Sequence, residues 1–344
     1  MTTIFSFGLG IGTQNKKNEW LEVFYPQPLI NPDEVVAKIL CATLKYTGGN
    51  QTISLDDQLL EKLSNIFLDS AEPALAYTAN CLRSAEKPTL ITILEADSPV
   101  TTVPEGYLKL HLLSHRLVKP NNINLTGIFG VLPNIAWTNE GAIDINELKE
   151  RQLKARLKNS NLSVSSIDKC PKMVDYVVPS GVRIADTARV RLGAYIGEGT
   201  TIMHEGFVNF NAGTEDISMI EGRISQGVFV KKGSDLGGGS STMGTLSGGG
   251  QIIITIGSQC LLGANSGLGI PLGDRCTIEA GLYITAGTKV SLLDDCGNYV
   301  TRVKARNLSG KDDLLFRRNS ETGAVECLTN NSAVELNKVL HDSN

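Results

Sequence analysis

A glutamate and an arginine stand two residues apart around a glycine in the stretch Met219-Ile220-Glu221-Gly222-Arg223. A carboxylate can take a proton or attack a carbonyl, and a guanidinium can hold an anion, so this stretch carries the parts of a group-transfer site. Glycine-rich runs accompany it. One extends from Gly237-Gly238-Gly239-Ser240-Ser241 through Met243-Gly244-Thr245-Leu246-Ser247 to Gly248-Gly249-Gly250, and another from Gly267 to Gly273, just ahead of Glu279-Ala280-Gly281. Glycine lets a backbone approach a ligand and leaves its N–H unhindered, which suits the oxyanion that develops when an acyl group moves. Any one of these glycines is better explained as a chain corner; their clustering with Glu221 is what points to a site.

The elements that position these residues form a repeat. From about residue 181 glycine becomes frequent, with 23 of the 35 glycines in residues 181–290, and aliphatic residues recur at an interval of six: Ile184, Val190, Ile196, Ile202 and Val208. The rhythm returns at Ile224, Val230 and Leu236, at Ile256, Leu262 and Leu268, and at Ile278, Ile284 and Val290. Small residues such as Ala188, Ala194, Thr200, Gly206 and Ala212 follow four positions after the first set. A period of six fits neither a helix nor an alternating strand; it fits a short strand and a tight corner, repeated into a stack of flat-sided coils. A glycine-rich antiparallel sandwich would show period-two alternation instead. The rhythm breaks between Val208 and Ile224, between Leu236 and Ile256, and between Leu268 and Ile278, and the expectation is that surplus residues leave the coil there as loops that carry the site.

The hexad pattern resembles the hexapeptide-repeat acyltransferases, whose fold is a left-handed parallel β-helix with three faces. The stretches MHEGFVNFNAGT (203–214), MIEGRIS (219–225), GGGSSTMGTLSGGG (237–250) and LLGANSGLGIPLGD (261–274) resemble one branch of them, the tetrahydrodipicolinate N-succinyltransferases, over roughly residues 175–325 and most closely their long-chain form. The resemblance implies transfer of a succinyl group from succinyl-CoA to tetrahydrodipicolinate, giving N-succinyl-2-amino-6-oxopimelate on the diaminopimelate and lysine route, by a cytoplasmic homotrimer. It implies that Glu221 is the catalytic carboxylate, with the Gly244 N–H as a candidate oxyanion donor. Arg223, Gly238, Ser241, Ala264, Glu279, Ala280, Gly287, Lys304, Arg317, Arg318, Asn319 and Ser320 match positions that contact acyl-CoA or substrate. Glu205 matches a position where relatives place a metal, magnesium, on the trimer axis. Lys304, Arg317 and Arg318 also make chemical sense, because CoA carries phosphates and the acceptor two carboxylates.

Other functions fit the same residues less well. A purely structural β-helix would keep a regular outward stripe, whereas here three glycine-rich breaks interrupt it. A zinc hydratase on this fold needs three histidines, and of His111, His115, His204 and His341 only His204 lies in the repeat. Another hexapeptide acetyltransferase could use His204 as base, but its place beside Glu205 favours a structural or metal-adjacent role.

The remaining chain reads as an N-terminal α/β domain (1–175), ahead of the β-helix (176–300) and a C-terminal segment (301–344) contributing to the CoA and substrate site. Asn31-Pro32-Asp33 caps an apolar helical stripe to Leu44, and further helices are expected over 55–68, 107–117 and 145–157, the last lying on the surface. Residues 89–94 and 127–132 read as strands. Gly8, Gly10 and Gly12 lack the spacing of a nucleotide loop and read as a glycine-rich turn. The net charge of -4 and the scattered Lys and Arg exclude a nucleic-acid binder, and no window is apolar enough for a membrane span or export signal. Seven cysteines without a C-x-x-C pair read as reduced, mostly buried thiols.

Overall fold

The computed structural model describes residues 4–244, 252–294 and 296–329. The chain forms two compact units, the first of residues 1–118, 122–171 and 175–177, and the second of residues 119–121, 172–174 and 178 onward.

In the first unit, Ser6–Gln14 lies between Trp20–Phe24 and Thr89–Leu94, with Gln51–Leu55 on the far side of Thr89–Leu94, all antiparallel. The helices Glu34–Leu44, Asp57–Asp69 and Pro73–Leu82 bury their apolar stripes on Phe7, Leu9, Ile91 and Ile93. Asp33 caps the first helix as expected, its side chain accepting from the Val36 N–H, and the expected helices near 55–68, 107–117 and 145–157 are present. The third of these buries only Ala155 among its residues, which matches a surface position.

Two expectations fail here. Gly8, Gly10 and Gly12 are not a turn; they alternate with Phe7, Leu9 and Ile11 inside the strand Ser6–Gln14. The reason is steric. A Cβ at Gly8 or Gly10 would come within 2.7 or 2.8 Å of the Tyr25 ring, and one at Gly12 within 2.7 Å of Trp20, so the glycines make room for aromatic rings on the face opposite the helices. Residues 127–132 are not a strand either. Gly127 has φ +88° and opens a single helical turn, Ile128–Val131, in which the Val131 N–H bonds the Gly127 carbonyl at 3.2 Å. A separate antiparallel sheet of Ile135–Thr138, Gly141–Asp144 and Val164–Asp168 carries the helix Ile145–Leu157.

The second unit is a stack of short parallel strands forming three faces, a parallel β-helix. The first face stacks Ile184, Ile202, Ile220, Leu236, Leu262, Ile278 and Phe316. The second runs from Val190 and Val208 through Ile224, Thr242 and Leu268 to Ile284, and the third through Ile196, Thr214, Val230 and Ile256. Every residue in these rows is buried except Ile184, which is half-buried. Thr214 and Thr242 escape an aliphatic count because they are polar, yet each is satisfied inside: Thr214 Oγ1 pairs with Thr200 Oγ1 at 2.8 Å, and Thr242 Oγ1 donates to the Arg223 carbonyl at 2.9 Å.

The register overturns the reading of the breaks as three loops. Ile202 and Ile220 are eighteen residues apart and stacked, but Ile220 and Leu236 are only sixteen apart, as are Leu262 and Ile278. The first break is therefore a corner two residues short, with only Glu221, Gly222 and Arg223 between the inward Ile220 and Ile224. The third is the same device: Leu272 follows Leu268 by four residues and stacks beside Ile256, its N–H bonding the Thr255 carbonyl at 2.9 Å. Only the second break adds chain, and its residues 245–251, which include the last six of the fourteen residues of the GGGSSTMGTLSGGG run, lie outside the described residues.

Of the cysteines, Cys170, Cys260, Cys276 and Cys327 are buried thiols as expected, while Cys81 and Cys296 are exposed.

Candidate active site

Each residue that follows the first-face row donates its N–H to the next coil: Met203 to Ile220, Glu221 to Leu236, Gly237 to Leu262, Gly263 to Ile278 and Glu279 to Phe316, all at 2.8–2.9 Å. This ladder runs along one edge of the β-helix, between the first and second faces, and it lines up corners that are far apart in sequence. Glu205, Glu221, Gly238, Ala264, Glu279, Ala280, Arg317 and Arg318 all lie on it, with Arg223 and Ser241 at the start of the second face.

The corner is tight, and glycine is needed for that reason. A Cβ on Gly222 would stand 2.0 Å from Ser240 Oγ and 2.7 Å from the Ser240 carbonyl, and one on Gly206 would meet the Ile220 carbonyl at 2.4 Å. Above them, the bare Gly238 leaves space that carboxylates occupy. The position of its missing Cβ is 3.4 Å from Glu221 Oε2 and 3.6 Å from Glu205 Oε2, so two acidic side chains from successive coils flank one point. Neighbouring coils also pair Arg223 with Ser241, whose Oγ accepts from Nη2 at 2.9 Å. At the end of the ladder, Glu279 Oε2 accepts the Arg318 N–H at 2.6 Å, and Arg317 Nε donates to Glu326 Oε2 at 3.0 Å. Such an edge can present a half-buried carboxylate, glycine-lined space and cationic groups in a row.

Not every expected residue joins it. Gly244 follows the inward Thr242 at the far end of the second face, where its missing Cβ would lie 3.1 Å from the Gln226 carbonyl. Gly287 follows Ile284 at that same end, and Lys304 pairs with Lys289 beside it, the next residue's N–H bonding the Thr288 carbonyl. Within one chain these three belong to the edge between the second and third faces. Asn319 and Ser320 form the turn after Arg318, where Asn319 Oδ1 accepts from the Glu321 and Thr322 N–H groups. His204 is exposed next to Glu205, and among the described residues no three His, Cys, Asp or Glu side chains converge as a metal site would require.

Sequence reasoning missed Glu326, a buried carboxylate that bonds both Arg317 and Asn319. It lies eight residues after Arg318 with no motif around it, and only the pairing of its strand with Leu314–Arg318 reveals it.

Similarity to known proteins extends over nearly the whole chain. Residues 253–286 match the hexapeptide repeat of succinyl-transferases, and residues 132–172 match the middle domain of tetrahydrodipicolinate N-succinyltransferases. The latter segment lies in a part of the chain that offered no motif. Proteins named 2,3,4,5-tetrahydropyridine-2,6-dicarboxylate N-succinyltransferase are similar to this chain at 62% identity in Pseudomonas putida and 60% in Pseudomonas aeruginosa, each over 99% of both chains. The one from Vibrio cholerae is 56% identical, again over 99% of both chains. A crystal structure from Campylobacter jejuni, provisionally named a 2,3,4,5-tetrahydropyridine-2-carboxylate N-succinyltransferase, superposes with a TM-score of 0.89 at 31% identity, covering 97% of this chain and 94% of that one.

Proposed function

Because this chain belongs to the tetrahydrodipicolinate N-succinyltransferase family, we propose that it moves the succinyl group of succinyl-CoA onto the nitrogen of tetrahydrodipicolinate. The observation that carries this reading is full-length identity to enzymes of that name, not a match confined to the common repeat. The product is N-succinyl-2-amino-6-oxopimelate, and the step belongs to diaminopimelate and lysine synthesis. One water enters, because the cyclic imine opens to an amine and a ketone.

In the proposed mechanism the acceptor nitrogen attacks the thioester carbonyl. Once water has added to the imine, the nitrogen carries the proton it must lose: a C–N bond forms, the C–S bond breaks, and Glu221 takes that proton and returns it to the leaving thiolate, so that CoA departs as its thiol. The oxyanion of the tetrahedral intermediate is held by the Gly244 N–H. Arg223 with Ser241, and Lys304, Arg317, Arg318, Asn319 and Ser320, hold the phosphates of CoA and the carboxylates of the acceptor. Gly238, Ala264, Glu279, Ala280 and Gly287 border the channel in which CoA lies, the glycines and alanines allowing close approach.

The residues so assigned divide between the two edges that bound the second face. A homotrimer of left-handed helices packed by their faces would set one copy's Glu221 edge against the Gly244, Gly287 and Lys304 edge of the next. The division supports assembly as a requirement for catalysis. Glu205 offers a single carboxylate per chain, and magnesium would need copies of it to meet at the trimer axis. A cytoplasmic location completes the proposal, in keeping with seven cysteines that are not joined in disulfides.

The test is CoA release measured with succinyl-CoA and with acetyl-CoA, each with and without tetrahydrodipicolinate. The expected result is release that requires the acceptor and is much faster with the succinyl donor. Equal or greater release with acetyl-CoA would replace this reading by that of a hexapeptide acetyltransferase.

A further inference from the structure

Glu326 is a carboxylate placed where a carboxylate is costly. Its residue is 8% exposed, and removing a charge from water costs several kcal/mol unless partners compensate. Two partners do so. Glu326 Oε2 accepts from Arg317 Nε at 3.0 Å, and Glu326 Oε1 accepts from Asn319 Nδ2 at 2.8 Å. Arg317 and Glu326 are directly opposed across the antiparallel pair Leu314–Arg318 and Val325–Thr329, so the contact is built into the register. Asn319 is fixed from the other side as well, its N–H bonding the Ala324 carbonyl at 2.8 Å and its Oδ1 accepting two backbone N–H groups of the turn. Arg317 itself keeps 45% of its side chain exposed.

We infer that Glu326 is a positioning residue of the anion-binding part of the site: one buried carboxylate locks Arg317 and Asn319 into the arrangement that receives a phosphate or carboxylate of the substrates. This rests on the ligand role proposed for Arg317. The physical reason is the direction of the fork. With Nε tied to a buried partner the guanidinium plane is held while nearly half of the side chain stays exposed, so end-on Nη1 and Nη2 N–H groups are left for an anion and part of the rotamer freedom an arginine would lose on binding it is already lost. A free surface arginine would carry the same charge with less affinity. Glu326 never touches substrate and acts only through the two residues it holds.

The experiment uses the full-length enzyme and measures kcat and both KM values for Glu326→Gln, Arg317→Ala and the double variant, with melting temperatures alongside. Glutamine keeps the shape but turns one acceptor into a donor, so it faces either Arg317 or Asn319 donor to donor. For the substrate whose KM rises in Arg317→Ala, Glu326→Gln is expected to raise KM on the order of ten-fold with kcat within about two-fold. Added to Arg317→Ala it should raise that KM no further, because a positioning effect has nothing left to position. The inference is overturned if Glu326→Gln lowers only the melting temperature, or if its effect on KM is equal in both backgrounds. If Arg317→Ala changes neither KM, the ligand role of Arg317 fails and the inference falls with it, a result distinct from an inert Glu326→Gln beside an impaired Arg317→Ala. Should Glu326→Gln not fold, Arg317→Lys decides. Lysine keeps the charge but lacks the Nε fork, so a raised KM supports the inference and a normal KM overturns it.

Discussion

Glu221 sits at a corner whose backbone is fixed: its N–H is tied to the Leu236 carbonyl, and the glycine after it has no room for a side chain. If it is the base, its ionised form is needed in every turnover, and Glu221→Gln is expected to lower kcat at least ~100-fold while leaving CoA affinity and assembly intact. The alternative chemistry, attack by Glu221 on the thioester to give a mixed anhydride, makes a different forecast. It requires a burst of CoA equal to the sites from enzyme and succinyl-CoA alone, and an acyl group on Glu221 that hydroxylamine traps. Direct attack gives no burst without acceptor. Near-normal turnover in Glu221→Gln would return the residue to an ordinary loop glutamate. Gly222 is a stricter test of geometry. Its Cβ would overlap Ser240 Oγ and press on the Ser240 carbonyl, so Gly222→Ala is expected to destabilise the β-helix by about 1 to 3 kcal/mol and to displace Glu221, seen as a lowered unfolding midpoint together with a lowered kcat. An unchanged midpoint would mean that the coils can separate there at no cost.

Among the elements, the shortened corner sets this β-helix apart from a uniform stack of hexads. Ordinary coils place five residues between inward side chains, and the corner at Glu221 has three, so the carboxylate stays on the backbone ladder instead of swinging out on a loop. Inserting two small residues between Glu221 and Gly222 would restore the full interval. The expected outcome is a folded protein with a near-unchanged far-ultraviolet spectrum and a kcat reduced ~100-fold or more, since misplacement by an ångström can already cost that much. An insertion that keeps full activity would show that the short corner serves packing alone. The inward rows provide the complementary test: Leu262→Ala, at a fully buried site between Leu236 and Ile278, should cost about 2 to 5 kcal/mol.

At the scale of the whole molecule, the two units can be followed separately, because both tryptophans, Trp20 and Trp137, lie in the first. That unit also holds the buried His111, whose Nδ1–H donates to the Tyr107 carbonyl at 2.7 Å and whose Nε2 accepts the Tyr25 N–H at 3.3 Å. Burial, the largest cause, pushes its pKa down from 6.5 to about 3. A histidine lowered in this way is neutral when folded and protonated when unfolded throughout that window, so its contribution is complete above pH 6.5 and is lost progressively as the pH falls toward 3. Between pH 6.5 and 5, before most carboxylates titrate, this amounts to about 2 kcal/mol. Urea unfolding followed by tryptophan fluorescence should show that loss, and His111→Phe should flatten it; an equal slope in the variant would assign the pH dependence to other groups. Assembly is tested at the same scale. Sedimentation should find three copies per particle, and a fully active monomer would break the link between the two site edges.

The hexad interval by itself determined the β-helix of the second unit, because a coil with a dry interior can be written only as an inward apolar residue at a fixed step. The MIEGR stretch likewise marked Glu221, since a carboxylate beside glycine in a broken repeat is chemically conspicuous. The tertiary structure decided what depends on stacking. It showed that Thr214 and Thr242 point inward, that two breaks remove residues instead of adding them, and that the expected site residues divide between two edges, because register is a property of pairs of coils and not of one. It placed the alternating glycines of Ser6–Gln14 under Tyr25 and Trp20, rings whose proximity no local spacing records. It also supplied Glu326, whose role exists only where two strands bring it opposite Arg317.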